Sequence, residues 1–189
     1  MMDARLKSDK LRFEHINRYL KPGKILDIGS SEGYIHGLLV KNNPHMTFFT
    51  LDKNKSSDFN IDIDNPKKIN KTFDTVIAGE VIEHLSSPID FIIYCKKLLR
   101  SGGRLIITTP NATGLQYLIN PGWCVYYKDY RGHTQAFTIE MLQRILKDEK
   151  FKIIHKDYIN AFWVSNPLQY LPRFIKRIRT DLIIVAEKT

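Results

Sequence analysis

The sequence predicts an α/β fold in which a mostly parallel sheet carries helices on both faces. Two observations lead to this prediction. Short apolar runs of the length of buried strands alternate along the chain with segments of helical periodicity. Hydrophobic residues make up 43% and charged residues 26% of the 189 residues, which excludes a disordered chain and a coiled coil. Because a domain typically has roughly 150 residues, we expect residues 1–189 to form a single domain.

The first half of the chain begins with a predicted helix. Residues 3–20 are amphipathic and are followed by Lys21-Pro22-Gly23, so this N-terminal helix falls within residues 1–23. Apolar runs and helical periodicity then alternate. They predict a strand over Lys24–Ile28, a helix over Tyr34–Lys41 and strands over Met46–Leu51, Phe59–Ile63 and Phe73–Ala78.

The second half contains another helix and strand, an irregular segment and two final strands. Pro88 suits the first turn of a helix that runs to Leu99, and Ser101-Gly102-Gly103 is predicted to end this helix. Residues 111–135 are rich in Asn, Gly, Pro and aromatic side chains and are predicted to form an irregular cap. The other predicted elements are a strand over Arg104–Thr109, a helix from Thr138 to about Lys147, strands over Phe151–Tyr158 and Asp181–Glu187, and a Pro-interrupted basic helix over residues 168–179.

The formal net charge of +9 is distributed unevenly along the chain. Residues 25–110 are neutral overall, whereas residues 1–24 carry +4 and residues 111–189 carry +5. A solvated surface explains this pattern, and so does an anionic partner such as a small acceptor, a nucleic acid or a membrane surface. The segment 168–179 interleaves four cations with apolar residues, so peripheral contact with an anionic membrane is one prediction.

The apolar runs and the cysteines indicate the compartment. No run approaches the ~20 residues of a membrane span, and the first residues show no apolar signal region. Two cysteines, Cys95 and Cys124, do not make a disulfide framework. We therefore expect a cytoplasmic protein without a transmembrane segment.

A glycine-rich turn follows the first predicted strand. It spans residues 27–33 and would let a ligand approach the backbone amides closely. It fits a dinucleotide fingerprint badly, because Ser31 takes the second glycine position and Tyr34 the third. The turn carries two carboxylates, Asp27 and Glu32, and no cation, so a nucleoside with a cationic part suits it better than a pyrophosphate. A tight turn without a ligand is the structural alternative.

Asp52 ends the second predicted strand. An acidic side chain about 20 residues beyond such a turn is placed to hydrogen-bond both ribose hydroxyls of a nucleoside. Alone, Asp52 could instead cap a helix. The glycine-rich turn upstream favours ribose binding.

Together these segments resemble the class I S-adenosylmethionine-dependent methyltransferases, and among them the type-11 or ubiquinone-biosynthesis-like O-methyltransferases. The resemblance spans residues 24–145 in the order of the family's motifs. One departure is Ser31, where the family usually has glycine. The matching segments are LDIGSSEG at 26–33, Asp52, FDTVIAGEVIEHL at 73–85, LLRSGGRLIITTPN at 98–111, Gly132-His133 and Phe137-Thr138.

The resemblance implies a Rossmann-like sheet of seven strands with an antiparallel C-terminal strand. It also implies S-adenosylmethionine as the methyl donor and S-adenosylhomocysteine as its product. The glycine-rich turn would shape the methionine end of the pocket, and Asp52 would take the ribose with Lys53 beside the adenine. Gly79 and Glu80 would line the sulfonium side. The implied cofactor residues are Asp27, Gly29, Ser30, Ser31, Glu32, Gly33, Asp52, Lys53, Asp62, Ile63, Gly79 and Glu80.

Catalysis at the acceptor needs few groups, because the methyl donor is already activated. A hydroxyl acceptor benefits from a general base, and a histidine with a pKa near neutrality is the usual choice. If a helical turn follows the fourth strand, Glu80, Glu83 and His84 share one face at the rim of the pocket. His133, in the cap, is placed to reach the same space. The predicted catalytic residues are His84, His133 and Glu83, acting without a metal.

A metal-dependent interpretation competes with this one. Glu80, Glu83, His84 and His133 are a plausible ligand set for a divalent cation. The set resembles that of the metal-dependent RNA 2′-O-methyltransferases of the small-RNA pathway, and the basic ends of the chain would suit RNA. The same Glu-x-x-Glu-His string is widespread in metal-free relatives, so we expect no metal. The other histidines have no partner pattern and are expected at the surface; they are His15, His36, His45 and His155.

We therefore predict an S-adenosylmethionine-dependent methyltransferase whose acceptor is a small molecule with an oxygen nucleophile. The aromatic residues of the cap suit a flat or lipidic acceptor, or form a small core of the cap itself. A nucleic-acid acceptor is a second choice, and a cofactor-binding module without catalysis is the alternative from another class of protein. The aromatic residues are Tyr117, Trp123, Tyr126, Tyr127 and Tyr130.

Overall fold

The computed structural model describes residues 4–30, 33–119, 132–160 and 171–189. The described α-helices are α1 (Ala4–Tyr19), α2 (Tyr34–Asn42), α3 (Pro88–Leu98), α4 (Leu115–Ile119), α5 (Ile139–Asp148) and α6 (Leu171–Phe174). Two 3-10 helices span Ile82–His84 and Lys176–Ile178. The described strands are β1 (Lys24–Ile28), β2 (Thr47–Asp52), β3 (Phe59–Asn60), β4 (Phe73–Gly79), β5 (Leu99–Pro110), β6 (Phe151–Ile159) and β7 (Asp181–Lys188).

The described strands form one sheet in the order β3-β2-β1-β4-β5-β7-β6. Neighbours from β3 to β5 are parallel. β7 runs antiparallel to both β5 and β6, between which it is inserted. The predicted fold class, a mostly parallel sheet of seven strands with an antiparallel C-terminal strand, is confirmed.

The central strands are buried on both faces because successive side chains point to opposite sides of the sheet. In β4, for example, Val76 joins one hydrophobic core and Ile77 joins the other. Helices α3 and α5 contribute to the first core, while α1 and α2 contribute to the second. The predicted helices are therefore present on both faces of the sheet. Because they cover these faces, a ligand is expected to bind at the ends of the strands.

One edge of the sheet gathers the chemistry-bearing residues. The parallel strands β1, β2, β4 and β5 all end at this edge. β7 begins there, since Asp181 pairs with Pro110 at the end of β5. In open α/β sheets, ligands bind outside the carboxyl ends of the strands, so this edge is where a site is expected.

The boundary between α3 and β5 was predicted wrongly. The helix ends at Leu98, and the strand begins at once, so Ser101-Gly102-Gly103 lies within β5 rather than between the two elements. The pairing of β4 with β5 shifts register between Phe73 and Thr75, and Gly102 adopts a φ of 69° in this irregular stretch. A local bulge, which periodicity does not show, absorbs the extra residues.

Strand β3 is shorter than predicted, ending at Asn60 instead of Ile63. The N–H of Ile61 still donates to the Asp52 carbonyl, but the N–H of Asp64 donates to the Asp62 side chain. This local turn directs the chain away from the sheet, so the residues after β3 lie in the wall of the pocket.

The basic helix predicted over residues 168–179 is wrong over its described part. Residues 171–174 and 176–178 form two separate short helices, divided at Ile175, whose backbone is extended. Residues 168–170 lie outside the described residues. The Arg179 side chain donates to the carbonyls of Pro172 and Tyr158, so tertiary contacts hold this stretch in place of a continuous amphipathic helix.

Candidate functional site

A cavity of about 550 Å³ lies at the carboxyl edge of the sheet. It contains every predicted cofactor residue that the structure describes, while Ser31 and Glu32 lie outside the described residues. Three strand ends and the loops after them bring these residues together, although they are up to 53 positions apart in the chain. The predicted residues in its wall are Asp27, Gly29, Ser30, Gly33, Asp52, Lys53, Asp62, Ile63, Gly79 and Glu80.

The glycine-rich turn contains two glycines in backbone conformations that other residues rarely adopt. Gly29 has a φ of 71°, and its N–H donates to the carbonyl of Leu51 at 2.8 Å, which ties the turn to β2. A Cβ at Gly29 would overlap a methyl group of Val81. Gly33 has a φ of 77°, and a Cβ there would meet only open space, so backbone conformation rather than crowding requires glycine at this position.

Asp27 has a partner that the sequence did not reveal. Its carboxylate lies 3.0 Å from Nδ1 of His36, one helical turn into α2. Burial raises the pKa of Asp27, and the hydrogen bond with Asp27 raises the pKa of His36. The expectation that His36 is a surface residue without a partner was therefore wrong. The sequence signal for this contact was an acidic residue near the end of a buried strand, followed nine residues later by a histidine.

Asp52 does not cap a helix, because the residues after β2 form turns. Its carboxylate accepts from the N–H of Asn54 at 3.1 Å, which fixes the side chain at the end of the strand. Lys53 follows it in the cavity wall, and Asp62 and Ile63 reach the wall from the turn after β3. The helix-cap alternative is thereby removed, and the acid stands beside the cavity as the ribose interpretation requires.

Glu80 leaves β4 in the left-handed region, with a φ of 56°. This conformation is unfavourable for a side chain with a Cβ, and it is held by a hydrogen bond from the Glu80 N–H to the Thr108 carbonyl at 2.9 Å. One carboxylate oxygen lies 3.8 Å from Nη2 of Arg12, and the other is buried without a hydrogen-bond partner. Burial raises the pKa of Glu80 to about 7, although Arg12 opposes the rise.

Arg12 and Asp9 of α1 also line the cavity, and sequence reasoning missed both. The guanidinium of Arg12 lies 3.4 Å from Asp9 and 3.3 Å from Asp181. The sequence signal for Arg12 was its position along α1. Arg12 precedes the buried Ile16 by four residues, so the two side chains share the inward face of the helix. A cation on that face needs acidic partners, and the sheet edge supplies them.

The 3-10 helix after β4 separates residues that were predicted to share a face. Glu80 turns toward Arg12, so the prediction of one common face for Glu80, Glu83 and His84 was wrong. Glu83 is 1% exposed and accepts from the Thr109 hydroxyl at 2.9 Å. Its burial, with the charge of Glu80 nearby, raises the Glu83 pKa well above the usual range.

His84 and His133 do meet, as the sequence predicted. Their rings contact edge to face, with centroids 4.8 Å apart. The contact follows from the backbone, since the N–H groups of Thr134 and Gln135 both donate to the Glu83 carbonyl at 3.0 and 3.1 Å. His84 lies in the cavity wall. These contacts bring a part of the predicted cap to the rim of the cavity.

His133 is held as a neutral imidazole. Burial, followed by the proximity of His84, lowers its pKa to about 4. Its Nδ1 lies 3.4 Å from the Tyr117 hydroxyl. Tyr117 is the described member of the predicted aromatic cluster; Trp123, Tyr126, Tyr127 and Tyr130 lie outside the described residues, as does Cys124.

Three residues of this site could hold a metal ion. One ligand atom from each of Glu83, His84 and His133 lies within 4.8 Å of the others. Glu83 also has a buried carboxylate oxygen without a hydrogen-bond partner. Glu80 does not belong to this group, so the four-residue ligand set considered from the sequence is reduced to three.

The comparisons with known proteins agree with this geometry. A family model described as a methyltransferase domain matches residues 2–156. The chain belongs to the class I S-adenosylmethionine-dependent methyltransferase family. S-adenosylmethionine is the cofactor of this family, so the cavity residues above are its candidate ligands.

Individual relatives of this methyltransferase chain match over shorter stretches. The ubiquinone biosynthesis O-methyltransferase of Roseobacter denitrificans is 43% identical over 47 residues, which cover 25% of this chain and 19% of that enzyme. The enzyme of the same name from Rickettsia akari is 31% identical over 118 residues, covering 56% of this chain and 47% of the relative. The chain thus spans less than half the length of these curated relatives.

The fold is shared with solved structures over nearly its whole length. An S-adenosylmethionine-dependent methyltransferase from Archaeoglobus fulgidus superposes with a TM-score of 0.66 and 20% identity. The match covers 98% of this chain and 95% of that chain. At this identity the likeness supports the Rossmann-like methyltransferase fold alone.

Proposed function

We propose that this chain transfers a methyl group from S-adenosylmethionine to the hydroxyl oxygen of a small-molecule acceptor. The observation that carries the proposal is the shared wall of the cavity: the predicted cofactor residues and His84 line the same space. The curated relatives are named O-methyltransferases, which supports an oxygen acceptor.

The cavity residues fit S-adenosylmethionine by their charge and shape. The wall carries the carboxylates of Asp27, Asp52 and Glu80, which suit a ligand with a sulfonium, an ammonium and two ribose hydroxyls. Arg12 lies in the same wall and is already paired with Asp9, Asp181 and Glu80. Bound there, the cofactor supplies a methyl group already activated by its positively charged sulfur.

His84 acts as the general base in this proposal. A ring nitrogen takes the proton of the acceptor hydroxyl while the oxygen forms the new bond to the methyl carbon. The electron pair of the broken carbon–sulfur bond stays on sulfur, so the cofactor leaves as neutral S-adenosylhomocysteine. Neutral His133 packs on His84 and orients it, and buried Glu83 anchors the 3-10 helix through Thr109.

The contacts of residues 171–179 favour a small-molecule acceptor over a membrane-bound one. In residues 171–179, Phe174 is 84% exposed, which suits contact with an apolar surface. However, Lys176 pairs with Asp157 and Arg177 pairs with Glu140, both at 3.3 Å, so these cations are already engaged. Peripheral contact with an anionic membrane stays a prediction.

The first test is a transfer assay with His84 variants. Methyl-labelled S-adenosylmethionine and the protein are added to a cell extract, and label is counted in solvent-extractable, RNA and protein fractions. We expect label in the solvent-extractable fraction. With an acceptor in hand, His84→Gln should lower turnover about 10²-fold or more while leaving cofactor affinity nearly unchanged. The exposed His45 serves as a matched control through His45→Gln. Equal losses of turnover and affinity in His84→Gln would show a structural role.

A metal-dependent RNA methyltransferase is the second candidate. The observation that favours it is the group Glu83, His84 and His133, with ligand atoms within 4.8 Å. In this case the label enters the RNA fraction, a chelator removes the activity, and Mn²⁺ restores it. Chelator-resistant label in the solvent-extractable fraction contradicts this candidate, and turnover with any acceptor excludes a non-catalytic module.

The cytoplasmic location predicted from the sequence stays a prediction. Among the residues that the structure describes, no helix is both long enough and apolar enough to cross a membrane. Cys95 is a buried free thiol, and the second cysteine of the sequence, Cys124, lies outside the described residues.

A further inference from the structure

A histidine of α2 holds one of the acids in the cavity wall. His36 and Asp27 both line the cavity, although His36 stands in the first turn of α2 and Asp27 lies on the buried strand β1. Nδ1 of His36 lies 3.0 Å from Oδ2 of Asp27. The ring can donate from Nδ1 when it is protonated and also in the neutral tautomer that carries its proton there. The contact therefore does not require a charged histidine.

The ring of His36 is held from a second side by β2. It packs edge to face on Phe48, with the ring centroids 5.8 Å apart. Phe48 pairs with Ile25, which shares a face of the sheet with Asp27 because it lies two residues earlier on β1. A helix N-terminus disfavours a positively charged side chain, so α2 alone gives no reason for a histidine at this position. Asp27 and Phe48 together account for the placement of the ring.

The carboxylate of Asp27 keeps one oxygen for a ligand. Asp27 is 7% exposed and lies in the cavity wall. His36 contacts Oδ2, whereas Oδ1 has no hydrogen bond with any residue that the structure describes. Burial raises the pKa of Asp27, and the hydrogen bond and the charge of His36 lower it. A carboxylate held through one oxygen presents the other in a fixed direction, which favours binding of a cation from the cavity.

We propose that His36 is a positioning residue for the methyl donor: it orients Asp27 so that Oδ1 accepts from the ammonium group of the methionine part. The inference rests on the proposed function, which places the cofactor in this cavity. His36 acts through Asp27 and takes no part at the reacting atoms. Binding should therefore depend on His36 only for ligands that carry the amino-acid part of the cofactor.

Two ligands separate the amino-acid part from the rest of the cofactor. S-adenosylhomocysteine carries the ammonium and carboxylate groups, whereas 5′-methylthioadenosine has the same nucleoside and a thioether without them. Both ligands lack the positive charge on sulfur, so a difference between them does not report on that charge. Titration calorimetry measures the affinity for S-adenosylhomocysteine directly and the affinity for 5′-methylthioadenosine by competition.

His36→Leu and His36→Asn are the matched variants. The two side chains have nearly the same size and branching, but only asparagine keeps a donor near the position of Nδ1. We expect His36→Leu to bind S-adenosylhomocysteine about tenfold more weakly than the wild type, because a hydrogen bond to a charged group is lost, and to bind 5′-methylthioadenosine like the wild type. His36→Asn should bind both ligands nearly as the wild type does. His45→Leu, at an exposed position, is the control.

Two results would overturn the inference. One is equal affinity for S-adenosylhomocysteine in the leucine and asparagine variants, which needs no second ligand. The other is a loss in His36→Leu that is equal for both ligands, which would show that His36 only shapes the turn. If His36→Leu does not fold, His36→Phe replaces it, because phenylalanine keeps a ring against Phe48 and has no donor. If the wild type binds neither ligand, the proposed function fails instead.

Discussion

At Gly29 both the backbone conformation and the close approach of Val81 favour a residue without a side chain. A Cβ there meets Val81, and the φ of 71° is costly for any other residue. We expect Gly29→Ala to lower the free energy of unfolding by about 1–3 kcal/mol and to weaken cofactor binding. Urea denaturation and calorimetry measure the two effects.

Gly37→Ala is the control for this substitution. Gly37 lies inside α2 with open space around its Cβ position and no positive φ. Alanine should raise the free energy of unfolding there by roughly 0.5–1 kcal/mol, because it favours the helix. Equal behaviour of the two alanine variants would show that the turn has no special backbone requirement.

The position of a single residue in the site could be predicted where the residue belongs to a sequence motif. It could not be predicted where the position depends on a tertiary contact. Asp52 and Gly79 end β2 and β4, so their place in the cavity wall follows from the strand pattern. Helical spacing places Arg12 on the inward face of α1, but its acidic partners, Glu80 and Asp181, come from distant parts of the chain that periodicity does not connect. The His36–Asp27 contact is of the same kind, since it depends on how α2 leaves the turn.

Helix α5 begins at a residue that the sequence identified. Thr138 accepts from the N–H of Met141 at 3.2 Å, satisfying one of the free donors of the first turn. Thr138→Ala should therefore lower the free energy of unfolding by about 1 kcal/mol, and Thr138→Ser should stay close to the wild type. Thermal denaturation of the three proteins checks this, and an alanine variant as stable as the serine variant would contradict the capping role.

Elements were predicted best where the sheet buries them and worst where local turns interrupt them. β1 has the predicted bounds because it is apolar and enclosed on both faces. β3 and the start of β5 deviate because an Asp62 turn and a bulge at Gly102 act on backbone conformation. Residues 171–179 deviate because contacts of Arg179 with β6 replace the helix that composition suggested.

The pH dependence of stability belongs to the whole molecule. The pKa of His133 is about 4 in the folded chain and near 6.5 when unfolded, so the unfolded state binds the extra proton between these values. The contribution of His133 is therefore present above pH 6.5 and is lost as the pH falls toward 4. Glu80 and Glu83, whose pKa values are raised, act in the opposite direction.

A comparison of variants isolates the His133 contribution. Urea denaturation of the wild type and His133→Gln at pH 7 and pH 5 should show that the wild type loses more stability on acidification than the variant. Identical losses in the two proteins would contradict the assignment of a neutral, buried His133. His45→Gln, at an exposed position, should reproduce the wild-type profile.

The mostly parallel sheet and the meeting of its strand ends follow from the alternation of strands and helices. The family resemblance supplied the antiparallel C-terminal strand and the candidate cofactor residues. The different contacts made by the acidic residues could not be predicted in this way. Glu80, Glu83 and His84 are close in sequence, yet a left-handed residue and a 3-10 helix send Glu80 to Arg12 and Glu83 to Thr109. Short irregular segments of this kind have no periodicity to reveal them.

The central claim is that the cavity at the carboxyl edge binds S-adenosylmethionine with Asp52 on its ribose. Calorimetric titration of the wild type, Asp52→Ala and the control Asp148→Ala, an exposed acid on α5, tests it most directly. We expect one binding site in the wild type and in the control, and an affinity lower by about tenfold to a hundredfold in Asp52→Ala, since a hydrogen bond to a charged group contributes about 1.5–3 kcal/mol. Absence of binding to the wild type, or equal affinity in all three proteins, would contradict the claim.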